Sequence, residues 1–409
     1  MPRMRKLVFL LIALFGSLSL SLLLAEGFLR LFPGFLPPER RQFMQVDLGN
    51  VGVEHPYIGH LQTPNAAKRL SGPDFDVVQR TGPFGFRNSG PWPSQADVVV
   101  LGDSLVFGYG VSEDSAWPAI LDRSFPNLQV VNLGLVGAGA EQYFRVFQTF
   151  GQPLHPKLVI IGMFPGNDFW DAGQFDTWLR QGAHGNYMVW RNYGRFSGSF
   201  FDNPKKGLVS LLIRYSYLYN LVAAARAGRS ADGDSDSKSK VLHLQDGHEM
   251  RLALADFDSR TRNGRPGRRE FDLTVKALTK IRDSVRNEGA HLLVVLQPSK
   301  EEVYSPSPGV KPRDASGSLR TALTRLGIEY LDLTPTFTGH ASGPPLFFEA
   351  DGHPNERGYR LIADAVAAYL DSSLHRRNND LHGLTRTGAA LQEPPDKPAS
   401  MATQSGGSE

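Results

Sequence analysis

The stretch Val98-Val99-Val100-Leu101-Gly102-Asp103-Ser104-Leu105-Val106-Phe107-Gly108-Tyr109-Gly110 decides how this chain is read. Four consecutive apolar residues, three of them β-branched, predict a strand buried on both faces. Gly102-Asp103-Ser104 then predicts a tight turn that presents a hydroxyl at the strand's carboxyl end. In open α/β sheets, ligands bind beyond that edge. Ser104 is therefore a candidate nucleophile, provided that a base and oxyanion donors reach it. Asp103 is expected to brace the turn through hydrogen bonds to backbone N–H groups.

Three further segments supply such groups. Asn132-Leu133-Gly134-Leu135-Val136-Gly137-Ala138-Gly139 follows a second β-rich run, Leu128 to Val131. Gly166-Asn167-Asp168 follows a third, Leu158 to Met163. Asp351-Gly352-His353-Pro354-Asn355 comes near the end of the last patterned region. A glycine N–H and an asparagine amide suit a developing oxyanion. A histidine beside an aspartate suits deprotonation of a serine. Each piece also has an ordinary reading. Ser104 is a good N-cap, Gly137 and Gly139 are good turn glycines, and Asn167 fits an Asx-turn.

Taken together and in this order, the four segments resemble the SGNH (GDSL) hydrolases, a superfamily of serine esterases and related acyl-transfer enzymes. The resemblance spans residues 80 to 372, with a large insertion. It implies Ser104 as nucleophile and His353 as general base, with the Ser104 N–H, Gly137 and Asn167 as the oxyanion hole. The family pattern usually places Asp three residues before His, and here that position is Ala350. Asp351 lies two before, an arrangement similar to membrane-associated relatives in polysaccharide acetylation. Asp351 is thus the expected partner of His353, with Glu349 as the fallback. If neither reaches the imidazole, a Ser–His dyad remains.

The N-terminus reads differently. Arg3, Arg5 and Lys6 precede Leu7 to Ala25, which carries no charge. A bilayer-spanning helix needs roughly 20 apolar residues. A cleaved signal has a shorter apolar core and a small-x-small site, whereas Leu23 stands three back from the only plausible cut. An uncleaved, single-pass anchor is the expectation. The cations before it favour a cytoplasmic N-terminus, leaving the catalytic domain periplasmic or extracellular. The 409 residues contain no cysteine, which excludes disulfides, a thiolate nucleophile and cysteine–zinc sites. A net charge of +3, with no basic stripe interleaved with aromatics, argues against nucleic acid as a partner.

From Asp97 onward, short Val/Leu/Ile runs at 98–101, 128–133, 158–163, 292–296 and 328–333 alternate with helical patterns such as Trp117–Arg123 and Gln142–Phe150. This predicts a three-layer α/β/α sandwich of about five parallel strands, flavodoxin-like and closed by a helix over Glu356–Leu370. The expected organisation is a membrane segment at 1–30, a linker and lead-in at 31–96 and the hydrolase domain at 97–372. An insertion occupies about 170–270, and a disordered tail 373–409. His55-Pro56-Tyr57-Ile58-Gly59 and Gly82-Pro83-Phe84-Gly85-Phe86-Arg87 stand out in the lead-in, with packing under the sheet as their plain reading. The insertion is rich in Trp, Tyr and Phe over Phe169–Phe201 and is a candidate lid or substrate platform. Leu208–Ala227 reads as a packed helix, and Gly228–Lys240 as a flexible loop. Lys300 and Tyr304 lie at the active sheet edge, where a substrate contact and a surface or intramolecular ion pair are equally open readings, and neither is counted as catalytic.

No spacing of His, Asp and Glu suggests a metal site, and no cofactor is expected. The expected function is an extracytoplasmic serine esterase acting on O-acyl or O-acetyl bonds of a glycan or lipid ester. The alternatives are an O-acetyltransferase served by a membrane acyl-donor partner, and a non-catalytic glycan-binding protein that keeps the fold.

Overall fold

A computed structural model describes residues 2–35, 52–72, 74–183, 185–193, 208, 212, 215–222, 240–244, 247–252, 266–304 and 316–376. The loop expected at Gly228–Lys240 lies, except for Lys240, outside these residues, as does the expected tail beyond Arg376.

Two antiparallel hairpins come first. β1 (Val53–His55) pairs with β2 (Gly59–Leu61), and β3 (Ala67–Ser71) with β4 (Asp76–Arg80). The lead-in is thus ordered hairpin structure, invisible to a periodicity search because each strand is only three to five residues long. The central sheet contains β5 (Val98–Gly102), β6 (Val130–Gly134), β7 (Leu158–Met163), β10 (His291–Leu296) and β11 (Glu329–Asp332). All are parallel, in the order β11-β10-β7-β5-β6. β8 (Lys240–His243) and β9 (Glu249–Leu252) form a third hairpin within the insertion.

Strand alternation divides the core in two. Val99, Leu101, Val131, Leu133 and Ile161 face the helices Ala140–Val146, Arg268–Asn287 and Gly317–Leu326. Val98, Val100, Ile160 and Val295 face Trp117–Ser124 and the last helix, Glu356–Arg376. With helices on both faces, the strands can be apolar throughout, and every residue of β5 and β7 is buried. Each fully buried Val, Leu or Ile contributes about 1.5–3 kcal/mol of transfer free energy. The helix Arg268–Asn287 shows the matching period, burying Thr274, Ala277, Leu278, Ile281 and Val285.

Element ends differ from expectation by a few residues. The helix expected over Gln142–Phe150 is α-helical only to Val146 and then widens over Phe147–Gly151. The last helix runs past Leu370 to Arg376. Four described aromatics of the insertion turn inward. Phe175, Trp178, Tyr187 and Trp190 are buried against one another, so these rings build a small satellite core and not an exposed platform.

The first helix, Pro2–Leu31, is long and apolar enough over Met4–Leu31 to cross a membrane, and its most apolar 18-residue window is unburied. At its carboxyl end Glu26 accepts hydrogen bonds from the Ser216 hydroxyl (2.9 Å) and from the Tyr217 and Leu218 amides (both 3.0 Å). The insertion is thereby tied to the base of this helix.

The order of the sheet positions the site. The chain moves from β5 to β6 on one side and then crosses to β7 on the other, so the loops after these strands diverge around the carboxyl end of β5. Such a switch point leaves a crevice, and Ser104, Gly137 and Asn167 sit on the three loops that border it.

Candidate active site

Ser104 opens a short helix, Ser104–Phe107, that packs close against the strand ends. What allows this is a row of glycines. Gly102 pairs with Gly134 on one side and Gly162 on the other. A Cβ at Gly134 would stand 2.3 Å from the Phe107 nitrogen, and one at Gly162 would stand 2.4 Å from Val106 Cγ2. No larger residue leaves room for the Ser104 helix at this depth. Asp103 caps the helix, accepting from the Leu105 N–H at 2.9 Å, as expected of a brace. Arg87, buried, donates to the carbonyls of Phe107, Gly108 and Val111 and so satisfies the other end of the same helix.

His353 arrives from the far end of the chain. Its Nε2 lies 2.8 Å from Ser104 Oγ, and its Nδ1 lies 2.6 Å from Asp351 Oδ1. The same Asp351 oxygen accepts the His353 backbone N–H at 2.8 Å. The two-residue spacing thus folds into a tight turn in which the carboxylate reaches both the backbone and the ring of the histidine. Burial pushes the Asp351 carboxyl up, but the bonds from His353 outweigh it and hold the group below the usual carboxylate range. Glu349, the fallback, is exposed; its backbone carbonyl accepts from Arg251 and Lys300. Tyr109 packs its ring on the imidazole, 4.6 Å between centroids at 30°.

Gly137 adopts φ +73°, a conformation open to glycine, and a Cβ there would also meet Met188 Sδ at 2.9 Å. The Asn167 side-chain nitrogen donates to Asp103 Oδ2 at 3.1 Å. Asp103, fully buried, has its pKa raised by desolvation against those two hydrogen bonds. Ser104, Gly137, Asn167, Arg191, Glu301 and His353 all line one cavity of about 420 Å³. The structure therefore brings together every site residue expected from the sequence. Ser104, His353 and Asp351 are in direct hydrogen-bond contact, and Gly137 and Asn167 border the same cavity.

Asp168 accepts from the Tyr143 hydroxyl and, at 2.7 Å, from the Phe164 amide. Burial and the nearby Asp103 push its carboxyl well above the ordinary range. It holds the loop after β7.

Lys300 and Tyr304, the candidate substrate contacts, are both buried and bonded within the protein. Lys300 is 2% exposed and donates to the carbonyls of Phe348 (3.2 Å), Glu349 (3.1 Å) and Asp351 (2.9 Å). The Tyr304 hydroxyl accepts the Leu346 N–H. Both hold the segment that carries His353. Sequence reasoning also missed Arg191, which reaches the cavity from the insertion and pairs with Asp171 at 2.7 Å. No motif marks it.

The model of the GDSL-like lipase/acylhydrolase family matches residues 100–361. The chain belongs to this family. It is accordingly a hydrolase acting on ester bonds. Among curated proteins no sequence matches. Solved structures similar to this GDSL-like chain include a lipolytic G-D-S-L protein from Veillonella parvula (15% identity, TM-score 0.35), covering 67% of this chain and 97% of that one. An esterase from Pseudoalteromonas, solved with monoethylphosphonate as inhibitor, shows 12% identity and a TM-score of 0.36, over 68% and 98% of the two chains. An acetyl xylan esterase shows 10% identity and a TM-score of 0.36, over 67% and 99%.

Proposed function

We propose that this chain is a membrane-anchored, extracytoplasmic serine esterase that removes short O-acyl groups, with acetyl the first candidate, through an acyl-serine intermediate. The observation that carries this reading is the unbroken chain Ser104 Oγ–His353 Nε2, His353 Nδ1–Asp351 Oδ1 at the edge of one cavity.

His353 Nε2 takes the Ser104 proton as Oγ bonds to the ester carbonyl carbon. The carbonyl oxygen gains charge facing the Ser104 and Gly137 amides and the Asn167 side chain. His353 returns the proton to the departing alkoxide as the C–O bond breaks. Water, deprotonated by the same nitrogen, then releases the acid and regenerates Ser104. A single oxyanion donor is worth about 10²–10³ in kcat.

A cavity of about 420 Å³ that carries Arg191 and Glu301 beside the serine favours a small acyl group on a polar alcohol over a long chain. The apolar Met4–Leu31 helix and the cations Arg3, Arg5 and Lys6 at its start support an anchor with the domain outside the cytoplasm. A cell-envelope glycan ester fits both features.

The test uses the full chain in detergent. It should hydrolyse p-nitrophenyl acetate faster than longer esters, release acetate from an acetylated glycan, and take up one fluorophosphonate per chain at Ser104. Absence of labelling would remove the acyl-serine. Acetate appearing on an added acceptor sugar in preference to water would make the enzyme a transferase.

A further inference from the structure

Both loops that complete the site are held from outside by the lead-in hairpins, which the serine mechanism does not use. The turn Glu349–Asp351 offers two adjacent amides, and Asp74 Oδ2 accepts both, from Ala350 at 2.8 Å and from Asp351 at 2.9 Å. Its carbonyls point the other way, onto the Lys300 ammonium. A carboxylate on one side and an ammonium on the other clamp the backbone from which Asp351 and His353 project. Such charge-assisted bonds are the stronger class.

The β1–β2 hairpin does the same for the other loop. His60, fully buried on β2, places Nε2 2.9 Å from the Val136 carbonyl, one residue before Gly137. Gln142 locks the arrangement, donating to the Ile58 carbonyl at 3.0 Å while accepting the Gly139 N–H. A peptide's carbonyl and the next amide share one plane. Fixing the Val136 carbonyl therefore fixes the Gly137 N–H.

We propose that two side chains of the lead-in hairpins serve the active site without touching substrate: Asp74 is a positioning residue for the Asp351–His353 turn, and His60 is one for the Gly137 amide. The proposal rests on the serine-esterase reading above. It explains how a shortened Asp-x-His turn keeps its geometry. The turn that carries the acid and the base is bonded to a hairpin 277 residues away in sequence.

The experiment compares Asp74→Ala, Asp74→Asn, His60→Ala and His60→Gln with the wild type as full chains. The readouts are kcat and KM per fluorophosphonate-titrated serine, and exchange of the Ala350, Asp351 and Gly137 amides. Displacing a reacting group by about 1 Å costs on the order of 10²-fold, so Asp74→Ala and His60→Ala should lose about 10–100-fold in kcat at nearly constant KM. Asp74→Asn and His60→Gln keep the acceptor and the donor and should recover most of the loss. Exchange at Ala350 and Asp351 should rise in Asp74→Ala alone, and at Gly137 in His60→Ala alone. Asp76→Ala, on the same hairpin but in an exposed pair with Arg69, should match wild type. Unchanged kcat in both alanine variants, or a loss that disappears per titrated serine, overturns the proposal. A wild type that neither hydrolyses nor labels brings down the esterase reading instead, while the exchange data still decide whether the clamps hold the loops.

Discussion

Asn167 donates its side-chain amide to Asp103, 3.1 Å away across the gap between the loops after β7 and β5. The residue before the nucleophile thus orients the candidate oxyanion donor. The amide must present nitrogen to a carboxylate, because the reverse orientation would oppose two acceptors.

Asp103→Ala should therefore behave as an oxyanion-hole variant. It removes the cap on Leu105 and frees the Asn167 amide to rotate. A fall of about 10² in kcat with little change in KM is expected. An effect confined to thermal stability would show that Asp103 only braces the turn.

Asp351→Asn should leave the fold intact and lower kcat sharply. Loss of the tautomer-orienting carboxylate costs about 10⁴ in serine proteases. Asparagine can still accept the His353 backbone N–H, so a fall of about 10²–10⁴ is expected here. Glu349→Gln should match wild type. Steady-state hydrolysis of p-nitrophenyl acetate separates the two, and the reverse pattern would assign the role to Glu349.

Gly134→Ala tests the floor beneath the nucleophile. The added methyl would meet backbone at 2.3 Å, and the helix Ser104–Phe107 would have to lift. Overpacking of this kind costs about 1–3 kcal/mol. Both the melting temperature and kcat should drop, because the displaced element carries Ser104.

His60 sets a pH limit. Burial drives its pKa down to about 4, against a partial rise from the Val136 bond, with the Arg191 charge adding to the fall. Gln142 and the Tyr187 ring also face it. The unfolded chain binds this proton near pH 6.5 and the folded chain does not, so stability rises with pH between about 4 and 6.5. The contribution, on the order of 3 kcal/mol, is complete above that window and is lost on acidification. His60→Gln should flatten the melting temperature over this range relative to wild type.

Much of this was legible in the linear chain because it depends on local rules. Val98 to Leu101 is apolar without alternation, and only a strand covered on both faces tolerates that. Gly102-Asp103-Ser104 is a turn whatever surrounds it. The order of four such motifs carried the family, the parallel sheet and the five residues around the cavity. Resemblance to relatives with Asp-x-His favoured Asp351, but spacing alone left Glu349 within reach of His353, and the fold places Asp351 on the imidazole.

Tertiary structure alone decided the rest, because it turns on which backbone groups need partners after folding. Lys300 has the charge and position of a substrate contact, yet three carbonyls of the His353 segment claim its ammonium. The aromatic run after Phe169 has the composition of a platform, yet its rings bury one another. His60 and Asp74 carry no local signal, since each satisfies a loop that lies far along the chain. Periodicity and turn chemistry report what a segment does with its neighbours in sequence. Where a polar side chain finds its hydrogen bonds across the fold is settled only when distant loops converge on the end of β5.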